Sequence, residues 1–425
     1  MRGSESEQAH GGRAPGVRAV LAGRGFRRLF AVRLTSQFAD GLLQAGLATY
    51  VLFAPEQQVS GAKIAASFAV LLLPYSLIGP FAGVLLDRWR RRQVLFIANL
   101  VRAALVAALT ALVAAGADGW FFVACALASL GVNRFYLAAL SAGLPHVVDR
   151  DQLVMANALA TTTGTVAVVL GAGLGLGVRV LAGASHGVDA VIVGVAGASY
   201  LTAALLATRL GANQLGPDPE LDPVHAPSPG LRSGLRHLYH LRPAWTALLA
   251  LGAMRVAFGA MTVLVVLLQR ATFHRPEDAN AGLKGVTLTF AAVALGVPLG
   301  AMATPGGVLR YGPKRWIPGL QLITGAVLLA AVLPFKQPLI VLAGFVLGFA
   351  AQGVKVCVDS TVQATVDDQH RGFVFALYDV LFNVAFVGAV VVAALVVPAS
   401  GESAIAVVGT ALLLILTAGW YARTP

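Results

Sequence analysis

The chain has 425 residues, 57% of them hydrophobic and 12% charged, with a formal net charge of +12. Soluble domains carry about 25% charged residues, so this composition, with a mean hydropathy of +0.78, excludes a soluble enzyme, a disordered chain and a nucleic-acid-binding domain. It builds a polytopic helical membrane protein, in which 47 glycines allow backbones to approach closely.

Residues 1–28 read as a basic, Arg-rich cytoplasmic tail with no apolar core of the signal-peptide kind. Arginine outnumbers lysine throughout, a usage that suits a GC-rich bacterial genome. Twelve apolar runs follow, at 29–53, 64–86, 94–115, 120–142, 153–180, 188–208, 244–269, 286–305, 316–334, 338–360, 372–397 and 402–422. Each is near the roughly 20 residues that cross a bilayer. The predicted fold is therefore all-α and membrane-embedded, with twelve transmembrane helices.

The first run carries Arg33, Gln37, Asp40 and Gln44. The second ends in Gly83-Val84-Leu85-Leu86-Asp87-Arg88-Trp89-Arg90-Arg91-Arg92, a glycine followed by an acid and an arginine cluster in a short loop. Arg102 lies in the third run, Arg134 and Tyr136 in the fourth. The fifth holds Gly164, Gly171, Gly173, Gly175 and Gly177, read first as tight helix packing. A Pro-, Asp- and Ser-containing linker, 209–243, separates residues 29–208 from 244–422, and 231–241 within it could form an amphipathic surface helix or stay solvated. Arg255 follows in the seventh run, Gln352, Lys355 and Asp359 in the tenth, and Tyr378, Asp379 and Asn383 in the eleventh.

Loop charge sets the orientation. With both termini cytoplasmic, about 20 Lys and Arg fall in cytoplasmic segments, six in outer loops and five inside helices. That bias predicts an N-in, C-in protein of the cytoplasmic membrane. Three echoes recur about 220 residues apart: Ser67–Val70 with Thr289–Ala292, Gly83–Leu85 with Gly307–Leu309, and the charged turns Pro145–Leu153 and Thr365–Phe373. They point to two six-helix bundles arising by duplication, related by a pseudo-twofold axis.

The loop Gly83–Arg92 resembles the signature of the major facilitator superfamily, although Arg90 replaces the glycine usual there. The strings Leu34–Gly41, Asp151–Ala158 and Arg371–Leu377 resemble the branch of enterobactin-type siderophore exporters and macrolide-type efflux proteins. The resemblance implies a loop that latches the two halves in the outward-facing state, through Gly83, Asp87, Arg88, Arg91 and Arg92. It also implies a role in proton coupling for Arg134. Many drug–proton antiporters carry a proline after the fifth-helix glycines; none follows here.

Ionisable residues within the spans are the best guide to function, because a charge at the bilayer centre costs about 2.5–3.5 kcal/mol on insertion scales. Asp40 is the leading candidate to load a proton outside and release it inside, with Arg134 as a charge partner or switch and Arg33 and Arg102 placed in the same charge relay; an ion pair that merely fixes helix packing is the other reading. Lys355 and Asp359, at i and i+4, share a face and can pair. Gln37, Gln44, Tyr136, Arg255, Gln352, Lys355, Asp359, Tyr378, Asp379 and Asn383 are the candidate cavity or substrate residues. No hydrolytic motif is present, and no cofactor or metal site is expected. Cys125 and Cys357 stand alone in apolar runs. The reading is a monomeric, proton-coupled exporter of hydrophobic or amphipathic small molecules, working by alternating access among membrane lipids. A lipid flippase on the same fold and a non-transporting membrane scaffold stay as alternatives.

Overall fold

Inside a bilayer no water satisfies the peptide groups, so apolar runs of this length close their hydrogen bonds within helices. A computed structural model of the protein describes residues 16–47, 89–117, 119–183, 185–216, 236, 238–273 and 279–424, all helix, turn or irregular chain. The helices are α1 (Val17–Ala22), α2 (Arg24–Leu47), α3 (Arg91–Ala114), α4 (Trp120–Gly143), α5 (Leu153–Ala182), α6 (His186–Ala207), α7 (Arg242–Leu267), α8 (Ala279–Tyr311), α9 (Pro313–Val327), α10 (Gln337–Thr365), α11 (Asp368–Val396) and α12 (Ala404–Arg423).

Local signals mark several boundaries. Ser185 and Ser403 cap α6 and α12, accepting from the backbone N–H of Val188 and Ala406 at 3.3 Å each. Pro313 and Pro338 stand at the starts of α9 and α10, where a missing N–H costs nothing. Pro298 and Pro305 lie inside α8, which runs on past both ends of the predicted 286–305. The run at 316–334 ends in a π-turn, Leu328–Val332, and α7 in another, Leu268–Thr272.

Among the described residues, ten helical stretches are long and apolar enough to cross a membrane, and they coincide with the third to twelfth predicted runs. The helix α2 occupies the first run, and its opening turn carries Arg24, Arg27 and Arg28. The second run, 64–86, lies outside the described residues, as does most of the tract 231–241. Leu170, Leu181, Leu395 and Leu416 are exposed, an apolar surface that suits lipid rather than water.

The packing partners repeat. The helix α2 packs on α5 and α6, and α3 on α4 and α6; likewise α7 packs on α11 and α12, and α9 on α10 and α12. The closest of these crossings depends on Gly171 of α5. A Cβ there would sit 2.1 Å from the backbone oxygen of Phe38 on α2. Gly173 and Gly177 of the same run face open space, so the packing reading holds for only part of the glycine series.

Candidate transport site

Two polar clusters sit in the middle of the helices, and a third closes one end. The first lies within α2, α3 and α6. Asp40 of α2 and Arg102 of α3 form an ion pair with both side chains nearly removed from solvent. Arg102 also donates through Nη1 to Ser36 Oγ at 2.9 Å and through Nη2 to the Tyr200 hydroxyl at 2.5 Å. The Tyr200 hydroxyl in turn donates to Asp40 Oδ1 at 2.8 Å. The guanidinium stacks 3.9 Å from the centre of the Tyr200 ring. Ser36 passes its own hydrogen to Asn99 Oδ1 at 3.0 Å. Both Nη atoms of Arg102, both hydroxyls and the Asp40 carboxylate are held within the network, as a low-dielectric site favours, while Arg102 Nε is buried without a partner among the described residues.

The second cluster spans the gap between the helices before and after the linker. Arg134 of α4 faces Asp379 of α11 at 3.5 Å, with the two side chains 34% and 26% exposed. Such exposure in mid-span means that the helices do not close around the pair. Asn383 Nδ2 donates to Asp379 Oδ2 at 3.3 Å, and Lys355 Nζ to Asp359 Oδ2 at 2.6 Å. Arg33 Nε donates to Gln37 Oε1 at 3.0 Å, and Asp359 is among its electrostatic neighbours. Gly164 of α5 makes room for that amide, because a Cβ there would meet Gln37 Oε1 at 2.0 Å. Arg255 of α7 lies over the rings of Phe382, Phe386 and Phe258, at 3.5, 5.0 and 5.3 Å. Lys355 Nζ is 5.5 Å from the Tyr378 ring centre. Gln352 Nε2 is buried and unpartnered.

The third cluster ties the start of α3 to the start of α11. Arg91 is fully buried. Its Nη1 donates to Asp368 Oδ1 at 2.7 Å, to the Leu215 carbonyl at 3.0 Å and to the Ala142 carbonyl at 3.1 Å. Its Nη2 reaches the Asp368 carbonyl at 3.1 Å. Arg371 and His146 also face the Asp368 carboxylate, at 2.6 and 3.4 Å. Burial pushes the Asp368 carboxyl up, but the His146 hydrogen bond and the Arg91 charge outweigh it and hold the group well below the usual carboxylate range. Just above, Asn157 of α5 donates to Gln363 Oε1 at 2.5 Å and to Ser360 Oγ at 3.1 Å on α10, and Gln363 donates to the Ser141 carbonyl at 2.9 Å.

The structure therefore sorts the sequence-predicted residues. Asp40 and Arg102 come together, whereas Arg134 and Arg33 belong to the central cluster and do not touch Asp40. Tyr136 is fully buried, its hydroxyl donating to the Val32 carbonyl at 3.2 Å. Gln44 is exposed on α2. Of the loop residues, Arg91 makes the cross-helix lock and Arg92 donates to the Thr208 carbonyl at 3.2 Å; Gly83, Asp87 and Arg88 lie outside the described residues. Sequence reasoning did not name Tyr200, Ser36 and Asn99 as one network, and it missed Asp368, His146 and the Asn157–Gln363 bond. The charged turn Thr365–Phe373, already visible as an echo, was the available signal for Asp368.

These features meet in one known architecture. The sequence profile of the Major Facilitator Superfamily matches residues 29–296. An MFS-type transporter of Mycobacterium tuberculosis is 40% identical over 403 residues, covering 93% of this chain and 90% of the relative, and one of Mycobacterium bovis is equally similar. The chain belongs to the Major Facilitator Superfamily. It is a multi-pass membrane transporter and not an enzyme. Two solved structures share its fold. The Escherichia coli fucose:proton symporter superposes with a TM-score of 0.70 at 16% identity, covering 94% of this chain and 97% of the other. A bacterial homologue of the iron transporter ferroportin, in an outward-facing state, superposes at 0.71 with 14% identity, covering 94% and 99%.

Proposed function

We propose that this transporter is a proton-coupled exporter of amphipathic small molecules, working as a monomer in the cytoplasmic membrane by alternating access. Residues 29–208 and 244–422 act as two six-helix bundles, twelve spans in all, with both termini and the linker 209–243 cytoplasmic. The repeated packing of α2, α3 and their neighbours by α7, α9 and theirs supports that division. The arginine bias supports the orientation. Arg24, Arg27, Arg28 and Arg209 line one cleft at that end, placed for anionic lipid headgroups.

The observation that carries the reading is the Arg91–Asp368 lock beneath the central charges. It joins the two bundles at the cytoplasmic end, while Arg134 and Asp379 above it stay part-exposed. This is the arrangement of an outward-open state, in which a substrate site faces away from the cytoplasm. Asp40, buried against Arg102 beside the central space, carries the coupling proton, and Arg102 compensates its charge when the proton leaves.

The test is the accessibility of a single cysteine. Both native cysteines are buried and are first removed as Cys125→Ser and Cys357→Ser. Gln44→Cys on the opposite half of α2 then reports opening to the outside by reaction with a membrane-impermeant maleimide. Wild-type background is expected to label from outside, and Arg91→Ala to label about 5–150-fold less, the range for loss of 1–3 kcal/mol of coupling. Equal labelling of the two would sink the alternating-access assignment.

A further inference from the structure

Among the described residues, the charges of the central space do not balance. Arg33, Arg134, Arg255 and Lys355 face two carboxylates, Asp359 and Asp379, and each of those already has a cation: Lys355 at 2.6 Å and Arg134 at 3.5 Å. Arg33 donates to the neutral amide of Gln37. Arg255 makes no hydrogen bond or ion pair among the described residues, and its Nε is buried without a partner. The rings of Phe382, Phe386 and Phe258 hold its position by cation–π attraction. They leave its in-plane N–H groups unused. Its electrostatic neighbours are Arg134, Tyr378 and Asp379, and with four cations to two carboxylates among the described residues the space disfavours an incoming cation.

We propose that the central space selects organic anions, with Arg255 receiving a carboxylate or sulfonate beside the rings of Phe382, Phe386 and Phe258. This deepens the transport reading and rests on it. A guanidinium offers such groups two parallel N–H donors. Gln352, one turn before Lys355 on α10, supplies a second unused donor in its buried Nε2. Phe258, which touches Arg255, also lines a pocket with Met261, Phe290 and Leu347. A neutral amphipath would leave the two uncompensated guanidiniums unpaired, and a cation would add to them.

The probes are naphthalene-2-sulfonate and 2-naphthyltrimethylammonium, which share a ring system and differ in charge. The full-length protein is purified in detergent and its melting temperature is read against each. The sulfonate is expected to raise the melting temperature and the trimethylammonium to leave it unchanged. Arg255→Gln is expected to weaken sulfonate binding about tenfold or more, with Arg255→Lys retaining part of it. Gln352→Leu, a milder change to the same donor set, is expected to weaken it less and guards against misfolding of the Arg255 variants. Equal stabilisation by the cation, no stabilisation by the sulfonate, or full binding by Arg255→Gln would each overturn the proposal. None of these results touches the maleimide assay, which needs no ligand and fails only if alternating access fails.

Discussion

Arg102 is the residue whose loss should be felt most. It is fully buried and holds Asp40, Tyr200 and Ser36 together. Removing it strands a carboxylate in an apolar setting, a change that costs about 3–5 kcal/mol when one partner of a buried pair is deleted. Tyr200→Phe is a gentler cut into the same network. The ring under the guanidinium stays, and only the hydroxyl bonds are lost, about 1.5–3 kcal/mol for a bond to a charged group. Arg102→Ala should therefore melt well below Tyr200→Phe in detergent, and the reverse order would show that the network is not held by its charge. The sequence displayed both Asp40 and Arg102 but not their pairing. Which intramembrane charges meet depends on how α2 rotates against α3, and apolar runs of near-uniform hydrophobicity carry little information about rotation. The residues flanking the pair, Ser36 and Asn99, are too small and too common in membrane helices to stand out.

At the scale of helices, the sequence was read well where length and hydropathy decide, and less well where backbone geometry does. Ten of the runs match membrane-length helices because roughly 20 apolar residues have no other stable fold in lipid. The π-turns that close α7 and the 313–332 stretch have no compositional mark: Leu328–Val332 reads as ordinary apolar helix. The glycines of α5 show the same limit, since five look alike in sequence while only some face α2. Their difference gives a prediction of opposite sign within one helix. Gly171→Ala would place a Cβ 2.1 Å from the Phe38 carbonyl and force α2 and α5 apart, an overpacking cost of about 1–3 kcal/mol. Gly173→Ala meets no atom within 4 Å and gains helix propensity, up to about 1 kcal/mol. Melting temperatures should fall for the first and hold or rise for the second. A parallel fall in both would mean that the whole face, not the crossing, requires glycine.

For the molecule as a whole, the proposed proton coupling raises the question of which charge would sense the proton. Asp368 ties the start of α11 to the start of α3, yet it is poorly suited to that role. Its carboxyl is held below the usual carboxylate range by the His146 hydrogen bond and the Arg91 charge, with Arg371 also facing it. A group depressed in this way contributes its stabilisation fully above the ordinary carboxylate range and loses it only as pH falls through the lowered value. Between about pH 5 and 8 the carboxylate therefore stays ionised. The lock should thus not open on mild acidification. Under the proposed coupling, opening in that range would instead depend on Asp40, paired with Arg102 beside the central space. The two possibilities separate in the labelling rate of Gln44→Cys followed from about pH 5 to 8. Asp368→Asn should lower the rate at every pH while leaving the shape of the profile intact. Asp40→Asn should flatten the profile and leave the lock closed. If Asp368→Asn alone abolished the pH dependence, the proton would act at the gate, and the coupling role would pass from Asp40 to the Arg91–Asp368 pair.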